Sequence, residues 1–220
     1  MVPIFPLPST VVFPGMRVPL YVFEARYKRL VRYCLEQDAP RFVMVLARRD
    51  GSGGPERSGL PFYEVGTFIH ILELAENPDH TYTLLGYGQE RCRLEIADEE
   101  SVPEPDGGLQ PLYFSSPQAW GLVRGDPNLE QIAAWDALEV FRDYARTFYA
   151  FDALRQIEDA MPDDLVYQAS FICANIRVPV DARQVLLEAP SLTERFGLAQ
   201  GLMRERLAAH GGVRPQGTDL

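Results

Sequence analysis

Histidine, cysteine and acidic side chains are the residues of this sequence that could bind a metal ion. The histidines and cysteines number three each, namely His70, His80, His210, Cys34, Cys92 and Cys173. Metal sites space such ligands a few residues apart within a segment, and no two of these six are that close. The acidic run at residues 98–100 lies in a stretch rich in proline and glycine, which indicates a solvated loop. No metal site and no cofactor are therefore expected.

The same residues could also supply a cysteine nucleophile. A Cys–His pair meets only in the folded chain, so the sequence leaves this alternative open. Each cysteine, however, falls on an apolar face, where a buried thiol packs as a small hydrophobe. Three well-separated cysteines also predict no disulfide framework and a reducing compartment.

Lysine chemistry is limited to a single side chain, Lys28. A serine nucleophile activated by lysine needs a lysine of lowered pKa, but Lys28 lies among arginines on the predicted outer face of a helix, where a solvated charge is expected. A nucleotide-binding P-loop ends in Gly-Lys followed by Ser or Thr, and no Gly-Lys pair occurs in the sequence. We therefore predict no catalytic residue and no enzymatic activity.

The composition is that of a globular protein with a substantial core. Of 220 residues, 46% are hydrophobic and 24% are charged, and the net charge is −10. This acidic balance argues against a nucleic-acid-binding protein. Residues 1–60 nevertheless carry a net charge of +4, which keeps a basic face open as an alternative. No apolar run reaches the ~18–20 residues of a membrane span, and no signal peptide is recognised, so a cytoplasmic protein is expected.

The elements that position these residues fall into two halves. In the first half, short apolar runs predict strands, and residues 23–37 have helical spacing. These strands are predicted at residues 10–13, 18–22, 42–47, 65–74, 81–87, 91–97 and 109–114. Loops are predicted at 50–60 and 98–108 from their composition.

The second half has helical periodicity throughout. Asn128 and Gln131 resemble a capping box. The apolar positions that follow at helical spacing form the predicted buried face, namely Ile132, Trp135, Leu138, Phe141, Ala145 and Phe148. Further helices are predicted after Pro162, after Pro179 and after the Ser191 capping box. The predicted domains are a β-rich lobe at 1–117, a helical bundle at 118–212 and a disordered tail at 213–220.

Several ordered motifs resemble the N-terminal substrate-recognition domain of Lon proteases. The first half contains Ile4-Phe5-Pro6-Leu7, Val12-Phe13-Pro14-Gly15, Pro19-Leu20 and Phe23-Glu24-Ala25-Arg26-Tyr27, followed by Val65-Gly66-Thr67 and a Gly-x-x-Arg segment over residues 88–94. The helical half contributes Val178-Pro179, the segment 184–188 and Arg195. The resemblance implies an α+β fold, in which a PUA-like twisted β-barrel with one embedded helix precedes a C-terminal helical bundle.

The resemblance also implies a function without catalysis. A free-standing bacterial domain of this family is expected to bind unfolded or specific client proteins, with a separate protease as a possible partner. Because PUA-like barrels of other families bind RNA, RNA binding through Arg26, Arg29 and Arg32 is the alternative. A third possibility is an enzyme or small-ligand protein that uses a cleft between the lobes.

Client binding requires exposed apolar side chains. An extended client peptide could also add to the edge of a strand, with pockets that take its alternate side chains. The candidates are Phe13, Met16, Tyr21, Phe23, Leu60 and Phe62. Glu24, Arg26 and Tyr27 are interpreted as a structural motif, in which Glu24 favours the helix N-terminus and Arg26 pairs with the barrel. The competing interpretation is that the apolar candidates fill the core.

Overall fold

The structure is a computed structural model that describes residues 1–48, 60–95 and 97–211. The predicted tail and nearly all of the predicted loop at 50–60 lie outside these residues. Two compact units are present: a sheet unit, Met1–Gly121 with Arg183–Glu188, and a helical unit, Leu122–Ala182 with Ala189–Leu220. The domain boundary between residues 117 and 118 stays a prediction. The observed units divide after Gly121 and assign Arg183–Glu188 to the sheet unit.

Among its described residues, the sheet unit contains one complete helix, the end of a second helix and one eight-stranded sheet. The complete helix is α1 (Ala25–Leu35), and the strands are β1 (Val2–Leu7), β2 (Arg17–Val22), β3 (Arg41–Ala47), β4 (Phe62–Glu76), β5 (Tyr82–Arg93), β6 (Ala97–Pro103), β7 (Leu109–Ser115) and β8 (Gln118–Ala119). The strand order is β2-β5-β4-β3-β1-β7-β6, and β8 pairs with β5. The predicted α+β class is confirmed. The sheet is open, because no pairing joins β2 to β6 among the described residues, so closure into a barrel was wrong.

Strand β1 is not predicted from the sequence, since its two prolines have no N–H to donate to a neighbouring strand. Residues 4–7 of β1 pair with β3 in parallel, and residues 2–4 pair with β7 in antiparallel fashion. Only Ile4 therefore has paired neighbours on both sides. Pro3 and Pro6 each pair on one side, which is why a proline-containing segment fits inside the sheet.

Strand β3 has buried residues on both faces, as its continuous apolar sequence predicts. Phe42 and Met44 belong to the larger core cluster, whereas Val43 and Val45 belong to a second cluster. Because alternate residues of a strand point to opposite faces, the sheet has an apolar core on each side. Helix α1 packs into the larger core through side chains at helical spacing, which are Tyr27, Leu30, Val31 and Cys34.

Strand β6 contradicts the predicted loop at 98–108. It pairs with β7 along its whole length, and Val102 joins the larger core cluster. Residues 98–100 are acidic and exposed, so composition alone indicated a loop. Pairing with β7 and burial of Val102 outweigh the low strand propensity of the acidic residues.

Up to Gly211, where the described residues end, the helical unit contains the whole of four helices, α2 (Pro127–Phe148), α3 (Phe151–Asp159), α4 (Leu165–Asn175) and α6 (Leu192–Gly211). Helix α5 (Val180–Glu188) begins in this unit and ends in the sheet unit. Two helices begin at aspartates that were not predicted as caps. The side chains of Asp126 and Asp164 each accept two backbone N–H groups of the first turn. Ser191 caps α6 as predicted, by accepting the N–H of Glu194. Helix α3 is not predicted.

The buried face of α2 matches the predicted one only in part. Phe141 and Ala145 are buried as predicted, whereas Ile132 and Trp135 are exposed. All side chains that pack inward are Glu130, Ala134, Ala137, Phe141, Tyr144 and Ala145. The prediction favoured the large apolar side chains of the first turns, whereas that part of the helix packs through Ala134 and Ala137. Across the part of the chain that the structure describes, no helix combines the length and apolarity of a membrane span.

Candidate functional site

Strand β2 presents alternate residues to solvent. Val18 and Val22 are buried, whereas Pro19 and Tyr21 are exposed, as expected for a strand with one face on the core. Phe23 follows the strand and continues the exposed row. The exposed fractions are 57% for Tyr21 and 61% for Phe23, and their ring centroids lie 6.1 Å apart. Two neighbouring aromatic rings are thus available to a partner.

The neighbouring strand β5 extends this surface. Pro19 pairs with Leu85, and Arg17 pairs with Tyr87. Residues directly opposite in an antiparallel pair point to the same face, and Leu85 and Tyr87 are both partly exposed. We call the resulting surface the aromatic face, and its residues are Pro19, Tyr21, Phe23, Leu85 and Tyr87.

The turn between β4 and β5 holds the Tyr21 ring in place. The Tyr21 hydroxyl donates to Asp79 Oδ2 over 3.3 Å, and Thr81 Oγ1 lies 3.2 Å from the tyrosine oxygen. Hydrogen bonds from the Thr81 hydroxyl and backbone N–H keep the pKa of Asp79 below its ordinary value. His80 completes the turn with a φ of 58°. The turn therefore orders an exposed aromatic side chain before any partner arrives.

Strand addition at β2 is restricted by Pro19. The Gly88 N–H donates to Met16 O, so Met16 directs its backbone carbonyl toward β5. Backbone N–H and C=O groups alternate in direction along an antiparallel strand. The backbone polar groups of Arg17, Pro19 and Tyr21 therefore point away from β5, toward the outer edge of the sheet. Proline has no N–H, and the free edge of β2 consequently lacks a donor at its centre. Side-chain burial on the aromatic face suits this strand better than β-strand addition.

The six predicted binding residues do not form one surface. Only Tyr21 and Phe23 are well exposed, and Met16 and Leu60 are half-buried. Phe13 and Phe62 are fully buried, which corrects their assignment to an exposed surface. Phe62 belongs to the second core cluster of the sheet, against which Leu60 also packs.

The Phe-Glu-Ala-Arg-Tyr motif has local structural contacts. Arg26 Nη2 lies 2.9 Å from Glu24 Oε2. The ion-pair partner of Arg26 is therefore Glu24, and not a residue of the sheet as predicted. Its guanidinium also covers the Tyr27 ring at 4.5 Å. Tyr27 stacks on Phe5 and donates its hydroxyl to Pro6 O over 2.7 Å. The motif attaches the start of α1 to β1.

The apolar residues Cys92 and Leu94 alternate with Arg91 and Arg93, and this alternation predicts that Arg91 faces solvent. In the structure Arg91 is buried. Its guanidinium donates to backbone oxygens of Trp120, of Leu187 at 2.6 Å and of Gly121 at 3.0 Å. It also lies 4.0 Å from the centre of the Trp120 ring. Arg91 thereby joins β5 to the end of α5 within the sheet unit. The position of Arg91 in the Gly-x-x-Arg motif was the one feature of the sequence that indicated a structural role for this residue.

The cysteines do not have the properties of nucleophiles. All three are buried, and burial raises the pKa of Cys34 and of Cys92 to about 12. A thiol attacks as thiolate, so both are in the unreactive protonated form at neutral pH. Within the described ranges, no group of three or more His, Cys, Asp or Glu side chains could hold a metal ion.

An open sheet with one packed helix, followed by a helical unit, defines an α+β protein of the Lon N-terminal fold. The chain belongs to the family of the ATP-dependent protease La (LON) substrate-binding domain, whose model matches residues 1–205.

Curated relatives are full Lon proteases. The chain is 27% identical over 201 residues to Lon protease of Xanthomonas oryzae pv. oryzae, which is 91% of this chain and 22% of that protein. It is 22% identical over 209 residues to Lon protease of Escherichia coli strain K12, which is 94% of this chain and 25% of that protein. The chain thus spans a quarter or less of the length of these relatives.

Two solved structures share the fold. The N-terminal domain of Mycobacterium avium complex Lon protease superimposes with a TM-score of 0.67 at 15% identity, over 93% of this chain and 98% of that one. A Lon N-terminal domain protein from Xanthomonas campestris gives 0.54 at 20% identity, over 94% and 96%. At these identities the likeness shows the fold alone.

Proposed function

We propose that this chain binds unfolded protein clients through the aromatic face, by non-covalent burial of client apolar side chains and without a cofactor. Membership in a substrate-binding domain family supports a substrate-binding module. The observation that carries the apolar mechanism is the pair of neighbouring rings, Tyr21 and Phe23, each more than half exposed. Bound clients would then be available to a protease.

Two properties of the aromatic face would favour client binding: apolar area that a client can bury, and the fixed position of the Tyr21 ring. Full burial of an aromatic side chain contributes on the order of 1.5–3 kcal/mol relative to exposure. Because the turn already orders Tyr21, less side-chain entropy is lost when a partner binds. Aromatic side chains are also the residues that most often dominate binding energies at protein interfaces. Reversible binding that tolerates many client sequences follows from non-directional apolar contact.

The test uses reduced, carboxymethylated α-lactalbumin as an unfolded client with a fluorescent label. Anisotropy titration should show binding by the full chain, and the double substitution Tyr21→Ser with Phe23→Ser should weaken it by about tenfold or more. Both side chains are exposed, so the thermal midpoint of the protein should hardly change.

A matched control lies on the outer side of α2. Leu129 and Trp135 are exposed by 60% and 63%, as much as the two aromatic residues. The double substitution Leu129→Ser with Trp135→Ser removes comparable apolar surface and should leave client affinity unchanged. Equal loss in both double variants, or no loss in the first, contradicts a specific role for the aromatic face.

Ion pairs of α1 argue against the RNA-binding alternative, because they neutralise arginines that would bind phosphate. Arg26 pairs with Glu24, and Arg29 Nε lies 3.4 Å from Glu100 Oε1. Phosphate binding requires cations that are free to displace counterions, and two of the three candidate arginines already face carboxylates. We therefore do not carry this function forward.

A further inference from the structure

A cavity of about 360 Å³ lies within the helical unit. This volume falls in the usual range of small-ligand pockets. Most of its lining is apolar and comes from α2, α3 and the residue Met161 that follows α3. The apolar side chains are Leu138, Phe141, Ala145, Leu154, Ile157 and Met161.

One wall of the cavity is weakly held. Helix α3 buries a single side chain, Ile157, and its first turn has no side-chain cap. Few buried apolar contacts mean a low free energy of local opening. Local opening of this wall is therefore expected to cost little free energy.

Three polar side chains, Arg142, Glu158 and Gln168, complete the lining. Gln168 Oε1 is buried and has no hydrogen-bond partner within the described part of the chain. Among the same residues, Arg142 makes no ion pair. A buried acceptor without a partner is unfavourable, so a ligand whose N–H group reaches Gln168 Oε1 gains by binding here.

The polar groups match a peptide group better than an anion. Gln168 Oε1 accepts one N–H, and the Arg142 guanidinium donates to one carbonyl oxygen, which are the two polar groups of a backbone amide. The Glu158 carboxylate repels a negatively charged ligand. The apolar floor, in turn, needs a bulky apolar side chain.

We propose that this cavity is a second polypeptide-binding site, which takes one bulky apolar side chain of an extended peptide between α2 and α3. The backbone N–H of that residue donates to Gln168 Oε1, and a neighbouring carbonyl accepts from Arg142. The inference rests on the proposed function, since it assigns a further site for the same class of ligand.

The test uses a fluorescein-labelled nonapeptide of glycine and serine with one central phenylalanine, and a matched peptide with alanine in its place. With the full chain, anisotropy should give an affinity about tenfold or more higher for the phenylalanine peptide. Leu154 lines the cavity from α3. The larger side chain of the Leu154→Trp variant should fill the cavity and remove the preference for the phenylalanine peptide.

The Gln168→Leu substitution provides a second variant in case Leu154→Trp impairs folding. It removes the unsatisfied acceptor, so we expect about three- to tenfold weaker binding of the phenylalanine peptide and no decrease of the thermal midpoint. Gln156 is an exposed residue of α3, and Gln156→Leu is the matched control with unchanged affinity.

The outcomes separate this inference from the proposed function. Preference for the phenylalanine peptide should persist in the Tyr21→Ser, Phe23→Ser double variant, because that variant leaves the cavity intact. If Gln168→Leu binds this peptide as tightly as the wild-type chain while α-lactalbumin binding still depends on Tyr21 and Phe23, only the cavity site is overturned. If neither probe binds the wild-type chain, both proposals are overturned.

Discussion

The sheet unit and the helical unit fill their interiors differently. A Cβ atom added to Gly66 in β4 would lie 2.4 Å from Met44 O and 2.6 Å from Val45 Cγ1. Gly201 in α6 is exposed, so a Cβ atom added there would meet nothing within 4 Å, and the unfilled interior of the helical unit is instead the cavity of about 360 Å³. The sheet is thus closely packed at Gly66, whereas the helical unit retains room for a ligand.

Two buried charges, Arg91 of the sheet unit and Glu130 of the helical unit, are stabilised differently. Arg91 in the sheet unit is held by backbone oxygens, one of them 96 residues away at Leu187. Glu130 in the helical unit is held by Arg124, six residues away, and by the Gly125 N–H. The buried cation joins distant segments, while the buried carboxylate organises a local helix start. Loss of the cation should therefore have the larger effect.

The largest expected effect is that of Arg91→Met. The substitution leaves backbone oxygens of Trp120, Gly121 and Leu187 without a charged donor, so the free energy of unfolding of the sheet unit should fall by about 3 kcal/mol. Urea denaturation should be followed by tryptophan fluorescence in a Trp135→Phe background. The only remaining tryptophan, Trp120, then reports on the sheet unit alone.

Arg93 is the control for this prediction. It is exposed on the same strand and lies 5.1 Å from the centre of the Trp120 ring. Arg93→Met should change the free energy of unfolding by less than about 1 kcal/mol. Equal effects of the two substitutions would mean that the buried hydrogen bonds of Arg91 do not hold the unit together.

The second prediction concerns the two glycines. Gly66→Ala should lower the free energy of unfolding by about 1–3 kcal/mol, because backbone and side chains must move to admit the methyl group. Gly201→Ala should raise it by about 1 kcal/mol, because alanine has the higher helix propensity and space is available. Urea curves should be recorded by Trp120 fluorescence for the first and by circular dichroism at 222 nm for the second. Shifts of the same sign would refute the contrast between the buried, closely packed Gly66 and the exposed Gly201.

The smallest expected effect is a pH dependence at Glu130. Hydrogen bonds from Arg124 and from the Gly125 N–H keep the pKa of Glu130 below its ordinary value. Its contribution to stability is therefore fully present above the ordinary pKa of about 4.3 and is lost as the pH falls through the lowered value. Glu130→Gln should lower the thermal midpoint at pH 7, and the difference from the wild-type chain should shrink toward about pH 3.

Glu139 is the control for this pH dependence, because it lies exposed on the same helix. Glu139→Gln should leave the thermal midpoint nearly unchanged at both pH values. A difference for Glu130→Gln that stays constant down to about pH 3 would show that its carboxylate charge is not what stabilises the start of α2.

The sequence predicted much of the fold where a local pattern coincides with burial. The continuous apolar run of β3, the helical spacing of residues 23–37 that contain α1 and the Ser191 cap of α6 were all apparent. The two exposed aromatic residues of the candidate site, Tyr21 and Phe23, were named as well. Periodicity succeeds in these cases because the side-chain direction follows from the local backbone alone.

Other features were decided only by the tertiary structure. Phe13 and Phe23 are the same residue type, and nothing in the sequence says that one is fully buried and the other 61% exposed. Arg91 alternates outward along β5 but is covered by Trp120 and the end of α5. The periodicity of a segment determines which side chains share a face, whereas contacts between residues distant in sequence determine whether protein or water covers that face.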